Sequence, residues 1–311
     1  MKIDLTKRKI LVTGGAGFLG SHIIEKLLSI GVNLNQIVIP RKDQVDLRNL
    51  TNCLEIVKDI DIIFHIAGNI GGIGYNQKYP GSILYDNLIM GIQLLEAARK
   101  SNIKKFLTIG TTCSYPNETF IPFKEENLWD GYPSDVTAPY GLAKKMLLVQ
   151  SQAYHKQYNF NAIYLIPTNL YGPKDNYFQD KSHVIPALIK KVVDAKINNH
   201  PKINVWGRGT ATREFLYVKD AARAIVTAME KYNKPEPVNL GTGEEVSIKT
   251  LLSKIVNIIG FSGKIEWEKD KPEGQPRRSL NIDKANNEFG FKATTSLEVG
   301  LKKTIDWYLN K

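Results

Sequence analysis

The chain has 311 residues, 42% of them hydrophobic and 23% charged, and 42 lysines and arginines against 31 acidic residues give a formal net charge of +11. That length suits a large nucleotide-binding domain with a smaller partner, the composition excludes a disordered chain, and no apolar run approaches the ~20 residues of a membrane-spanning helix. Two cysteines, Cys53 and Cys113, are too few for a disulfide framework or a metal cluster.

Met1 to Arg8 carry charge but no apolar h-region, so no secretory leader is expected and the cytoplasm is the expected location. Lysine is spread along the chain, without a basic block interleaved with aromatics. No nucleic-acid or membrane partner is expected, and the positive charge suits anionic small ligands.

From Lys9 to Gly20 the chain runs Lys-Ile-Leu-Val-Thr-Gly-Gly-Ala-Gly-Phe-Leu-Gly, followed by Ser21-His22-Ile23-Ile24-Glu25-Lys26-Leu27-Leu28. This pattern predicts a buried strand, a tight turn and a helix. Gly14, Gly17 and Gly20 suit a backbone that turns sharply, admits a pyrophosphate and packs helix closely on strand. The helix start, with Phe18 and Leu19, supplies unpaired N–H groups and a partial positive charge for that phosphate. A structural turn is the plain alternative for glycines alone; the flanking strand and helix favour a dinucleotide site.

Gln36-Ile37-Val38-Ile39 reads as the second strand. Pro40-Arg41-Lys42 follows, with no carboxylate before Asp43, which favours NADP over NAD if Arg41 lies at the strand tip; an ordinary solvated turn is the alternative. Asp46-Leu47-Arg48 is expected to open a helix with Leu50, Leu54, Ile56 and Val57 on its apolar side and Cys53 inert within it. Ile60 to Ala67 is the next buried strand, His65 a buried core histidine, and Gly68 to Gly74 a loop at the strand's carboxyl end. The alternation of strand and helix predicts an α/β protein, a Rossmann-type doubly wound parallel sheet covered on both faces.

Ile83 to Lys100 reads as a long helix, with apolar Leu84, Leu88, Ile92 and Leu95 at helical spacing. Phe106 to Gly110 is a strand running into Thr111-Thr112-Cys113-Ser114-Tyr115-Pro116, and Tyr140 starts a helix that continues towards Gln157. Tyr140 and Lys144 are four apart and share a helix face. An ammonium beside a tyrosine stabilises its phenolate and lowers its pKa, and a strand-end hydroxyl can complete the hydrogen-bond relay.

With the glycine turn upstream, these residues resemble the extended short-chain dehydrogenase/reductase family. The resemblance implies that Thr111 orients a substrate carbonyl, Tyr140 relays the proton, and Lys144 holds the nicotinamide ribose and tunes Tyr140. Thr112 is the alternative to Thr111. Extended members commonly pair through two long helices, so a homodimer built on Ile83 to Lys100 and Tyr140 to Gln157 is implied.

In the second half, Ala162 to Ile166, Ile203 to Gly207 and Val238 to Leu240 read as strands; Ser182 to Lys191, Ala221 to Lys231 and Ile248 to Ile259 read as helices. Residues 1–170 are expected to form the NADP-binding domain, with 210–240 returning to it in part, and 171–311 a smaller α/β substrate domain. Gly71-Gly72-Ile73, Cys113-Ser114-Tyr115-Pro116, Pro167 to Pro173, Ser182 to Leu188, Val205-Trp206-Gly207, Arg213-Glu214-Phe215-Leu216 and Lys271 to Arg277 resemble the GDP-L-fucose synthase branch of the family.

That resemblance implies 3,5-epimerisation of GDP-4-keto-6-deoxymannose by Cys113 and His183, then reduction of carbon 4 with NADP(H). A thiolate and an imidazole can exchange base and acid roles around pH 7. It also places substrate contacts at Asn169, Lys191, Trp206, Arg213 and Lys271. Lys191 stands where the family has arginine, and Thr111 where it has serine, leaving room for a related GDP-sugar. The alternatives are a GDP-sugar 3,5-epimerase without net reduction, a 4-keto reductase of a deoxyheptose, or a non-catalytic NADP-binding regulator.

Overall fold

The computed structural model describes residues 2–178, 182–270 and 275–311; Lys271, expected at the substrate, lies outside them. The chain opens with β1 (Ile10–Thr13), α1 (Phe18–Ser29) and β2 (Ile37–Val38). The next helix, α2 (Leu50–Ile56), starts later than expected. Asp46 accepts the Arg48 backbone N–H at 3.0 Å and grips its guanidinium, a local turn that competes with helix. Asn49 is the cap instead, accepting from the Thr51 N–H at 2.8 Å. Then follow β3 (Ile62–His65), α3 (Ile73–Lys78), α4 (Pro80–Lys100), β4 (Lys105–Ile109) and α5 (Ala138–Tyr158). Ile73 and Gly74, expected in the loop, belong to α3.

The second half runs β5 (Ala162–Pro167), β6 (Asn169–Tyr171), α6 (Val184–Ile197), β7 (Lys202–Trp206), β8 (Thr212–Tyr217), α7 (Val218–Lys231) and β9 (Val238–Leu240). It ends with β10 (Glu245–Ser247), α8 (Ile248–Ile259), β11 (Lys264–Glu268), α9 (Asp283–Phe289) and α10 (Leu297–Leu309). Among the described residues no helix is long and apolar enough to cross a membrane.

Six strands form one sheet in the order β2-β1-β3-β4-β5-β9. All are parallel, so both faces need covering. Ile10, Val12, Phe64 and Leu107 pack on one face with residues of α1 and α7; Leu11, Ile63 and Phe106 pack on the other with α2 and α4. The chain leaves β1 towards β2 and then crosses back to β3. That reversal opens a crevice at the carboxyl ends of β1 and β3, where ligands collect in such sheets. The expected doubly wound sheet is therefore observed. Smaller sheets, β10-β8-β6 and β11-β7, lie by a separate core beneath α6, α8 and α10.

On α4 the buried stripe is Ile83, Asn87, Gly91, Leu94 and Leu95. Leu84, expected inside, is 40% exposed, and Leu88 and Ile92 are only half buried. The helix has two adjacent apolar stripes, and the one containing Gly91 allows the closest approach to α5: a Cβ there would lie 2.3 Å from Leu147 Cδ1.

Two buried charges tie the elements together. Lys105 on β4 donates to the carbonyls of Met229 at 2.6 Å and Tyr232 at 2.5 Å, satisfying the C-terminal end of α7. Glu214 on β8 accepts from the N–H groups of Thr242 at 2.5 Å, Gly243 at 2.9 Å and Leu280 at 2.7 Å. Removing this carboxylate leaves several buried donors unpaired. Glu214→Ala should therefore destabilise the protein by about 3 kcal/mol, seen as a lower urea midpoint; an unchanged midpoint would show that these donors find other partners.

Candidate active site

The glycine turn closes on itself. Gly14 has φ +70°, and a Cβ there would lie 2.8 Å from the Ala67 nitrogen; a Cβ on Gly20 would lie 2.2 Å from the Gly14 oxygen. Side chains at either place would push strand, turn and helix apart. Gly17 is the cap of α1 and offers no side chain to its N–H groups, so the helix start is open to an anion. Gly14, Gly17, Phe18, Leu19 and Gly20 thus form a cradle at the crevice that fits a dinucleotide phosphate.

Arg41 lies three residues beyond β2, exposed, with its carbonyl holding the N–H groups of Gln44 at 3.0 Å and Val45 at 2.8 Å. Arg48 nearby is engaged by Asp46 at 2.7 Å and Asp86 at 3.0 Å. Arg41 and Lys42 are therefore the exposed cations of this rim.

His65 is buried as expected, with Nδ1 2.9 Å from Thr13 Oγ1. Burial, and secondarily the Lys144 charge, bring its pKa down to about 3, so it is neutral. Beyond β3 the loop is held by Asn87, which accepts from the Asn69 N–H at 3.0 Å and donates to the Asn69 carbonyl at 2.8 Å. The same loop brings Gly68 beside Lys144, where a Cβ would lie 3.9 Å from Nζ. It also brings Gly72 against Ser182, where a Cβ would lie 3.0 Å from the carbonyl oxygen. His183 follows, exposed at the N-cap of α6. Desolvation by the surrounding chain lowers its pKa.

Thr111 ends the β4 segment and caps the single turn Thr112–Ser114, its Oγ1 accepting the Cys113 N–H at 3.1 Å. Ser114 Oγ donates to the Gly141 carbonyl at 2.8 Å, and a Cβ on Gly141 would lie 2.1 Å from the Cys113 oxygen. The turn carrying Thr111, Thr112 and Cys113 is thereby fastened to the first turn of α5, which carries Tyr140 and Lys144. Cys113 is half buried. Cys53 is fully buried, donates to the Leu47 carbonyl at 3.1 Å, and has its thiol pKa pushed up to about 12 by burial.

Burial raises the Tyr140 pKa, and the neighbouring Cys113 adds to the effect. The sequence-based expectation of a lowered value is not met, because removal of water disfavours the phenolate. A tyrosine that keeps its proton is suited to act as an acid. Lys144 is 2% exposed, and burial brings its pKa down to about 8.

The expected substrate residues lie farther along the second half. Asn169 donates to the Glu214 carbonyl at 2.9 Å, and Arg213 to the Thr212 carbonyl at 2.7 Å. Lys191 donates to the Asn204 carbonyl of β7 at 2.5 Å, and Trp206, 63% exposed, ends that strand. Arg278 was not foreseen. Its Nη1 lies 4.0 Å from Cys113 Sγ, across 165 residues of chain. The only sequence signal for it is its place directly after the Lys271 to Arg277 motif. Asn87 and Glu214 were likewise unforeseen as organisers of the site.

The model of the NAD dependent epimerase/dehydratase family matches residues 10–241. A GDP-L-fucose synthase of Sinorhizobium fredii is 35% identical over 311 residues, covering 98% of this chain and 97% of that protein. A solved GDP-6-OMe-4-keto-L-xylo-heptose reductase from C. jejuni superposes with a TM-score of 0.92 at 26% identity, over 100% of this chain and 99% of that one. A GDP-L-fucose synthetase from Naegleria fowleri bound to NADP has a TM-score of 0.90 at 27% identity, over 100% and 96%. With its glycine turn, parallel sheet and Tyr140–Lys144 helix inside the matched span, this chain belongs to the NAD dependent epimerase/dehydratase family.

Proposed function

We propose that this protein is an NADP(H)-dependent enzyme that epimerises GDP-4-keto-6-deoxy-D-mannose at carbons 3 and 5 and reduces carbon 4, giving GDP-L-fucose. The observation that carries the reading is the fastening of the Cys113 turn onto α5, the helix that carries buried Lys144, which sets a half-buried thiol beside a protonated tyrosine. The similarity to a GDP-L-fucose synthase over nearly the whole chain supports the substrate, and the NADP-bound neighbour supports the cofactor. Arg41 and Lys42 would receive the extra phosphate of NADP.

Bound NADPH supplies the hydride for carbon 4. In the proposed mechanism Cys113 removes the proton from carbon 3 or 5, made acidic by the adjacent 4-keto group, and the charge passes to the keto oxygen. His183 returns a proton from the other face. Thr111, or Thr112 beside it, orients the keto oxygen; Tyr140 then protonates it, and Lys144 holds the nicotinamide ribose and stabilises the phenolate left behind. Asn169, Lys191, Trp206, Arg213 and Lys271 would hold the GDP moiety, within a substrate domain of residues 171–311 set against an NADP-binding domain of 1–170 partly completed by 210–240. Exposed Leu84 and Tyr85 on α4 and Met146 and Val149 on α5 support pairing of two copies through these helices. Two free cysteines suit a cytoplasmic location.

A second reading, reduction of a 4-keto GDP-heptose without this epimerisation, is favoured by the likeness to the heptose reductase. Supplied with GDP-4-keto-6-deoxymannose, the purified protein should consume NADPH and release GDP-L-fucose. Isomerisation without NADPH loss would remove the reductase step, and turnover of the heptose substrate alone would establish the second reading.

Cys113→Ser should slow solvent-deuterium incorporation at carbons 3 and 5 by about a hundredfold, the typical worth of a positioned base, and slow reduction of a pre-epimerised sugar far less. Equal losses in both steps would remove Cys113 from the epimerisation. Because Lys144 loses its charge as pH rises through about 8, kcat/KM for the reduction should decline above that pH. A profile level to about pH 10, near the ordinary lysine value, would exclude a role for the ammonium.

A further inference from the structure

We propose that Arg278 is the positioning residue for Cys113, its guanidinium set against the sulfur to offset the negative charge that the sulfur bears as a base. The proposal rests on the reading of Cys113 as a base, and it arises from how fully Arg278 is held. Nε and Nη2 both donate to Gln275 Oε1, at 3.0 and 2.6 Å, leaving Nη1 towards Cys113 Sγ at 4.0 Å. Gln275 is fixed in turn, its Nε2 donating to the Asn117 carbonyl at 2.9 Å. The backbone just beyond is pinned at two points: the Ser279 carbonyl accepts from the Phe123 N–H at 2.8 Å, and the Leu280 N–H donates to Glu214 at 2.7 Å.

Arg278 is half buried, and among the described residues no carboxylate pairs with it. Its neighbour Arg277 is instead exposed and paired with Glu245 at 2.5 Å. A partly desolvated cation without an anion is costly unless negative charge arises beside it, and the sulfur is the group there that can carry one. Tyr140 on α5 also faces Cys113, and negative charge on the sulfur opposes loss of the tyrosine proton.

Alkylation by iodoacetamide reports the thiolate directly: the sulfur displaces iodide and forms a thioether. The reagent is neutral, so the arginine does not steer it, and buried Cys53 serves as the unreactive control in the same chain. Followed by mass spectrometry of the folded protein at about pH 7, Cys113 labelling should be about tenfold slower in Arg278→Gln. In Arg278→Lys, which keeps the charge, it should stay within about threefold of the parent. Parent-like labelling of Arg278→Gln would overturn the proposal, as would an equal loss in both variants.

Should Arg278→Gln fail to fold, Gln275→Ala decides the matter. Releasing the fork should slow labelling in the same direction, and an unchanged rate there would overturn the proposal. Labelling needs no sugar. If it slows in Arg278→Gln while deuterium exchange at carbons 3 and 5 does not, the pairing stands and the reading of Cys113 as the base falls.

Discussion

The site depends on one close approach, the backbone of α5 against the turn that follows β4. At Gly141 a side chain would place a Cβ 2.1 Å from the Cys113 carbonyl oxygen, and the Ser114 hydroxyl hydrogen-bonds the Gly141 carbonyl across the same gap. Without that approach Tyr140 would sit on a helix near the sheet rather than beside Cys113. Gly91 repeats the logic one layer out, letting α4 close on α5 through Leu147. Helix positions ordinarily disfavour glycine, so these two trade local stability for contact.

That contact sets the electrostatics. Tyr140 and Lys144 are both deprived of water, which favours the neutral form of each: the tyrosine keeps its proton and the lysine is brought close to neutrality. His65 beneath them is neutral for the same reason and takes its place in the sheet through Thr13. Chemistry that ends in protonation of a keto oxygen is served by a tyrosine in its acid form.

The second half of the chain contributes through Glu214. One buried carboxylate gathers the turn at Thr242 and Gly243 and the segment at Leu280. The carbonyl of the same residue accepts from Asn169. A single strand, β8, thus joins the residues read as nucleotide contacts to the segment that carries Arg278. Lys105 makes a comparable tie on the other side, joining β4 to the end of α7.

Much of this was legible in the chain because it is locally encoded. The glycine turn, the alternation of apolar strands and helices, and the spacing of Tyr140 and Lys144 each fall within a few residues, and they determined the doubly wound sheet and the tight turn between β1 and α1. The start of α2 was misjudged because Asp46 competes for the backbone, and the inner stripe of α4 because two apolar stripes adjoin. Only the tertiary structure decided that burial raises the Tyr140 pKa, that Glu214 draws distant segments together, and that Arg278 meets Cys113. The physical reason is common to all three: desolvation and long-range contact depend on what packs around a group in space, and residues 165 apart carry no local pattern that reveals it.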